Sequence, residues 1–167
     1  VFACMSCARL FETELPEIAR TSAYELLAAL ELPHRTEPGE KRAAVFDPCA
    51  ARGRTEVEAS VRALAEHAGL TLDELPEKNR CCGYGGHISV ANPTLYAEIV
   101  QNRAELSELP YVVYCANCRE VFASRGKQAV HALDLALGRD GVVPPQTLRE
   151  KRENGMLVKK KLAEELR

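Results

Sequence analysis

The sequence has no tryptophan, and aromatic residues make up only 5% of it, too few for the stacking platform that single-stranded nucleic acid requires. It also lacks an excess of either charge: 22 Lys and Arg stand against 24 Asp and Glu, a formal net charge of −2, so no nucleic acid or other polyanion is expected as partner. No apolar run approaches the roughly 20 residues needed to cross a bilayer, and the start lacks the basic, apolar and small-residue order of a secretory signal. The expectation is a cytoplasmic protein with no membrane insertion. What the chain does have is 46% hydrophobic and 28% charged residues over a length of 167, enough for one ordinary core that needs no covalent staple.

Seven cysteines are the informative part of the composition. An odd number, two of them adjacent, fits poorly with a secreted disulfide framework and turns attention to metal or redox chemistry. The chain opens on Val1 and not Met, and Val1-Phe2-Ala3 already reads as a short buried strand, so a fragment or processed chain is expected.

Local patterns predict alternating strands and helices. Ser22 and Glu25 form a capping box ahead of Leu26, Leu27 and Leu30, which predicts a helix. Pro33 to Lys41, polar and holding two prolines and a glycine, reads as a linker and domain boundary. Ala43 to Phe46 reads as a strand delivering Asp47-Pro48-Cys49 into a loop, and Thr55 with Glu58 predicts the start of a helix bearing Val57, Val61, Leu64 and Ala68. Asn92-Pro93 is an N-cap followed by N1, with Leu95, Ile99, Leu106 and Leu109 carrying the helix toward Pro110. Tyr111 to Tyr114 is β-branched and aromatic, a strand, and it feeds Cys115-Ala116-Asn117-Cys118 at a helix start. Ala129 to Leu137 reads as an apolar helical segment containing His131, and Leu148 to Arg167 as a charged surface helix or arm. The alternation predicts an α/β layered fold with a mainly parallel sheet flanked by helices.

A partial internal repeat runs through this pattern: Phe2 to Phe11, with Cys4 and Cys7, aligns with Val113 to Phe122, with Cys115 and Cys118, and Tyr24 to Leu30 corresponds loosely to His131 to Leu137. Nothing before Cys4 matches Cys49 or Cys81. The expected organisation is therefore the C-terminal part of a first repeat over 1–32, a complete second repeat over 33–140, and the charged arm over 141–167.

Thirty-one residues (50–80) separate Cys49 from Cys81-Cys82, and thirty-two (83–114) separate that pair from Cys115, with Cys118 closing a CxxC. Each cysteine stands where a strand ends or a glycine loop begins, so in a parallel sheet all five are expected to converge at its carboxyl edge. A tetrahedral zinc or a regular four-iron cubane takes four thiolates; the fifth points to a larger, less symmetric cluster, with zinc kept as the alternative. Gly83, Gly85 and Gly86 offer close backbone approach and N–H donors to negative sulfur. A metal-free dithiol and buried structural thiols are the other readings of these residues. His87 is a candidate proton carrier set against a solvated loop histidine, and His131 a satisfied helix residue. Lys159-Lys160-Lys161, followed by Glu164 and Glu165, is a charged helix face. Tyr84 and the glycines also suit an ordinary turn.

These motifs, Asp47-Pro48-Cys49, Cys81-Cys82-Gly83-Tyr84-Gly85-Gly86 and Cys115-Ala116-Asn117-Cys118, resemble the cysteine-rich CCG domain family, which is found in heterodisulfide reductase and in the iron–sulfur subunits of glycolate and lactate oxidation systems. The resemblance covers residues 1 to about 138. It implies an oxidoreductase component with a noncubane [4Fe-4S] cluster on Cys49, Cys81, Cys82, Cys115 and Cys118, or zinc as some members are reported to use. It further implies electron transfer or disulfide reduction, a flavin or iron–sulfur partner with FAD on that partner, and a disulfide or thiol as the possible substrate; no further catalytic residue is implied. In the family the domain usually occurs twice, so Cys4 and Cys7 are either vestigial or complete a second site. The tail, with Arg149 to Asn154, resembles a narrower group that joins such domains to a pyridine nucleotide-disulfide oxidoreductase module.

Overall fold

The computed structural model describes residues 1–30, 32, 41–85, 87–139, 144 and 146–165. Gly86, the expected linker up to residue 40 and much of the stretch leading to the tail lie outside the described residues.

Four strands form one wholly parallel sheet: β1 (Lys41–Phe46), β2 (Leu70–Glu74), β3 (Tyr111–Val113) and β4 (Ala129–His131), in the order β2-β1-β3-β4. The register pairs Ala43 with Leu72 on one side of β1 and Val45 with Val112 on the other, and Val112 with Val130 beyond. Central strands of a parallel sheet bury both faces and so read as continuous apolar runs. Ala43 to Phe46 and Tyr111 to Tyr114 do so, and their alternate residues part to two cores.

One core takes Val45, Val112 and Tyr114 against Val57, Val61 and Leu64 of α3 (Thr55–His67), together with Ala132 at the start of α7 (Ala132–Ala136). The other takes Phe46, Tyr111 and Val113 against Ala104 at the end of α5 (Pro93–Ala104) and Phe122 of α6 (Ala116–Ala123). Phe122 meets Phe46 edge-on with centroids 4.7 Å apart, and Tyr111 at 5.2 Å. The N-terminal segment joins the first core. Met5 of α1 (Met5–Glu14) and Tyr24 of α2 (Ala23–Ala28) are buried with Val45 and Tyr114, so residues 1–30 share their packing with the sheet.

Several boundaries differ from those read in the sequence. Val1-Phe2-Ala3 contributes a single parallel bridge, Phe2 to Ser22. The N-cap of α3 is Arg54, whose guanidinium is held 2.6 Å from Glu12, and Thr55 is already helical. Helix α5 keeps its expected start, with Asn92 Oδ1 accepting from Leu95 N–H at 3.0 Å, but ends at Ala104; Leu106 and Leu109 reach the core from the following loop. The segment from Ala129 is a strand before it is a helix. Strand β2 and the one-turn α4 (Ile88–Ala91) have no counterpart in the sequence reading. The tail forms α8 (Leu148–Glu165), capped by reciprocal Thr147 and Glu150 bonds and tied to α6 by Lys151 at 2.6 Å from Glu120.

Two local arrangements run in parallel between the N-terminal segment and the β3–α7 region. Phe2 bridges Ser22 as Val113 pairs with His131, and each second partner is the N-cap of the next helix, Ser22 accepting from Tyr24 N–H and His131 from Leu133 N–H. Ser22 thus occupies a position like that of His131.

Candidate metal centre

In a parallel sheet ordered 2-1-3-4 the connections leave β1 and β3 in opposite directions, so a crevice opens between their carboxyl ends. Cys49 follows β1 through Asp47-Pro48 and opens a short 3-10 turn (Cys49–Ala51); Cys115 follows β3 directly and is the N-cap of α6; Cys81 and Cys82 arrive from the loop after β2.

The thiols form a graded nest. Cys82 and Cys118 are buried at 4% and 3% exposure, Cys115 is half-buried, and Cys49 and Cys81 lie at the surface. The Cys118 thiol donates to Cys82 Sγ at 3.2 Å. Hydrogen bonding by Cys118 is the first cause holding Cys115 down to about 6, with burial opposing it. The N–H groups of Cys118 and Asn117 add to the effect, though neither completes a capping bond. Cys82 is lowered too, first by Cys118. Cys118 is raised, first by its interaction with Cys115, then by its hydrogen bond to Cys82 and by burial. Burial is the first cause raising Cys49, followed by the charge of and hydrogen bond with Cys81, then the charges of Cys82 and Cys115. All five expected sulfurs therefore share one electrostatic neighbourhood.

The glycines divide in role. Gly83 has φ +97°, donates its N–H to Cys81 Sγ at 3.3 Å, and leaves no room for a side chain, since a Cβ there would lie 2.9 Å from a Val100 methyl. Gly85 has φ +94° but faces open space. Exposed His87, at the head of α4, agrees with the solvated-loop reading. Cys4 is the N-cap of α1, and it and Cys7 are exposed. The Tyr24 hydroxyl sits 3.0 Å from Ala3 O and 3.1 Å from Tyr114 O, linking the residue before Cys4 to the residue before Cys115.

A polar network behind the thiols was not anticipated from the sequence. Asp47, 4% exposed, accepts from Tyr114 Oη at 2.7 Å and from both terminal nitrogens of Arg62 at 3.1 and 2.8 Å. Arg62 also grips Glu74 at the end of β2, holding that carboxyl down to about 2. One charge cluster, buried at Asp47 and exposed at Glu74, thus joins the ends of β1, β2 and β3, after which all five cysteines follow. Asp47 beside the Pro48-Cys49 pair was the available clue; Arg62 enters only through the packing of α3.

Among the described residues no three His, Cys, Asp or Glu are arranged to hold a metal ion. The donor chemistry itself, thiols in electrostatic contact with one another and a Gly83 N–H directed at Cys81 Sγ, is of the kind an iron–sulfur group takes.

Residues 43–123 match the family model described as a cysteine-rich domain, CCG. The chain is 27% identical over 121 residues to the glycolate oxidase iron-sulfur subunit of Escherichia coli (strain K12), covering 70% of this chain and 28% of that one. It is 44% identical over 46 residues to lactate utilization protein A of Lysinibacillus sphaericus (strain C3-41), covering 28% and 20%. The chain thus spans under a third of either relative's length. No solved structure matches it significantly. The resemblance to the cysteine-rich CCG family holds over the matched stretch.

Proposed function

We propose that this chain is the cluster-bearing part of an iron–sulfur oxidoreductase, holding a noncubane [4Fe-4S] cluster on Cys49, Cys81, Cys82, Cys115 and Cys118. The observation that supports this is that the loops bearing the five cysteines leave one edge of the sheet, with Cys82 and Cys118 sulfurs 3.2 Å apart and Cys49 in electrostatic contact with Cys81, Cys82 and Cys115. The printed names of the two relatives, an iron–sulfur subunit and a lactate utilization protein, support the oxidoreductase setting. When bound, such a cluster supplies one-electron transfer.

The chain's own contribution is position and field. Cys115, held down to about 6, would bind without first surrendering a proton at neutral pH, Cys82 is lowered in the same direction, Gly83 N–H stabilises sulfur charge beside Cys81, and Asp47, Arg62 and Tyr114 fix the strand ends. The electron source would be a flavin or iron–sulfur partner, and the family resemblance implies a disulfide or thiol as the possible substrate.

Anaerobically prepared chain is expected to contain iron and acid-labile sulfide in equal amounts, and Cys82→Ser or Cys118→Ser to lose both together with the low-temperature paramagnetic signal. One zinc per chain with no sulfide would establish the structural zinc reading in its place.

A further inference from the structure

We propose that the cleft beside Cys49 binds a small molecule carrying two or more oxyanion groups. This open cleft of about 460 Å³ is walled by Arg9 and Glu12 of α1 on one side and by the turn bearing Cys49, Arg52 and Arg54 on the other. Three guanidinium groups face one carboxylate. Glu12 is committed to Arg54 at 2.6 Å, Arg52 spends one nitrogen on Asn79 O at 3.1 Å, and Arg9 makes no ion pair among the described residues. The remaining donors suit the forked pairing that guanidinium makes with carboxylate or phosphate oxygens. At Gly53, on the turn, a Cβ would meet nothing within 4 Å, so the mouth is unobstructed. The exposed sulfur of Cys49 lies on the same wall, so an anion held by the arginines has its other end at the edge of the thiol nest. The purpose of the cleft rests on reading Cys49 as a cluster ligand; its existence does not.

The test uses the full chain, metal-free and reduced, at low ionic strength, where screening is weak. Alkylation rates of each cysteine by anionic iodoacetate and neutral iodoacetamide are compared by peptide mass. The ratio of the two rates at Cys49 is expected to exceed that at Cys4 several-fold, to survive Arg9→Lys, and to fall to the Cys4 value in Arg9→Glu. Arg9 is exposed on α1, so neither change disturbs the core. Malonate or inorganic phosphate, at constant ionic strength, is expected to protect Cys49; protection by malonate assigns carboxylate chemistry, by phosphate that of a phosphoryl ligand. Equal ratios at Cys49 and Cys4, or a bias that neither anion suppresses, would overturn the proposal. Iron and sulfide content of the loaded wild-type chain reports separately on the cluster, so the two readings fail independently.

Discussion

Asp47 carries more of this site than its place two residues before a cysteine suggests. A buried carboxylate is tolerated only when paired and hydrogen-bonded, and here Arg62 and Tyr114 supply three bonds. Asp47→Asn leaves Arg62 facing a neutral amide in a partly buried position and is expected to cost about 3 kcal/mol in urea unfolding. Tyr114→Phe removes one hydrogen bond, about 1 kcal/mol, and is expected to weaken iron retention by about tenfold, as loss of a supporting contact does. The two glycines make a sharper pair. Gly83→Ala meets both an unfavourable φ and the Val100 methyl, and is expected to lose about 2–4 kcal/mol; Gly85→Ala meets the φ alone and loses about 1–2 kcal/mol. Equal losses would show that the Gly83 contact relaxes. At this scale the cysteines were legible because their spacing survives as sequence, whereas Arg62 was not, because a guanidinium one helix away acquires its meaning only when α3 lies down on the sheet.

At the scale of elements, the long buried strands and the capped α5 were readable, and the three-residue β4 was not. Ala129-Val130-His131 continues without a break into Ala132-Leu133, so an apolar run hides the change of period at its middle. His131 marks that change, closing β4 and capping α7 through Nδ1, which accepts from Leu133 N–H at 3.3 Å. Burial is the first cause holding its imidazole down to about 4, with Arg119 adding to the effect and Asp134 opposing it. The unfolded chain binds the proton near the ordinary value of about 6.5, so between those limits the unfolded state holds more protons and stability rises with pH. The contribution is complete above about pH 6.5 and is lost as pH falls to about 4, by up to about 3 kcal/mol. His131→Asn keeps a cap oxygen and removes the titration, so the fall in urea midpoint from pH 7 to pH 4 is expected to be smaller in the variant than in wild type.

The whole molecule places its chemistry by topology. Three loops leave the same edge of one sheet on either side of the point where the strand order reverses, and the thiols need no further device to meet. The common edge was legible, since alternating strands and helices imply a parallel sheet and a parallel sheet implies one carboxyl edge. The junction of the N-terminal segment with the rest was not, because Tyr24 in sequence is one aromatic among helix formers, while in space it meets Tyr114 edge-on at 5.7 Å and shares one core with the sheet.

The depth ordering of the sulfurs sets how the metal-free chain fares in air. Cys82 and Cys118 are already near neighbours, shut off from larger reagents, and dioxygen can take two electrons and two protons from them to leave a covalent bridge. Chelator-treated protein exposed to air is expected to yield a tryptic fragment linking Cys82 to Cys118, two mass units lighter than the separate thiols (the two hydrogens lost), with reconstitution failing until a reductant is added. Such a bridge between the two innermost sulfurs would act as a latch: while it is closed both are withheld from any metal, and a reductant reopens it.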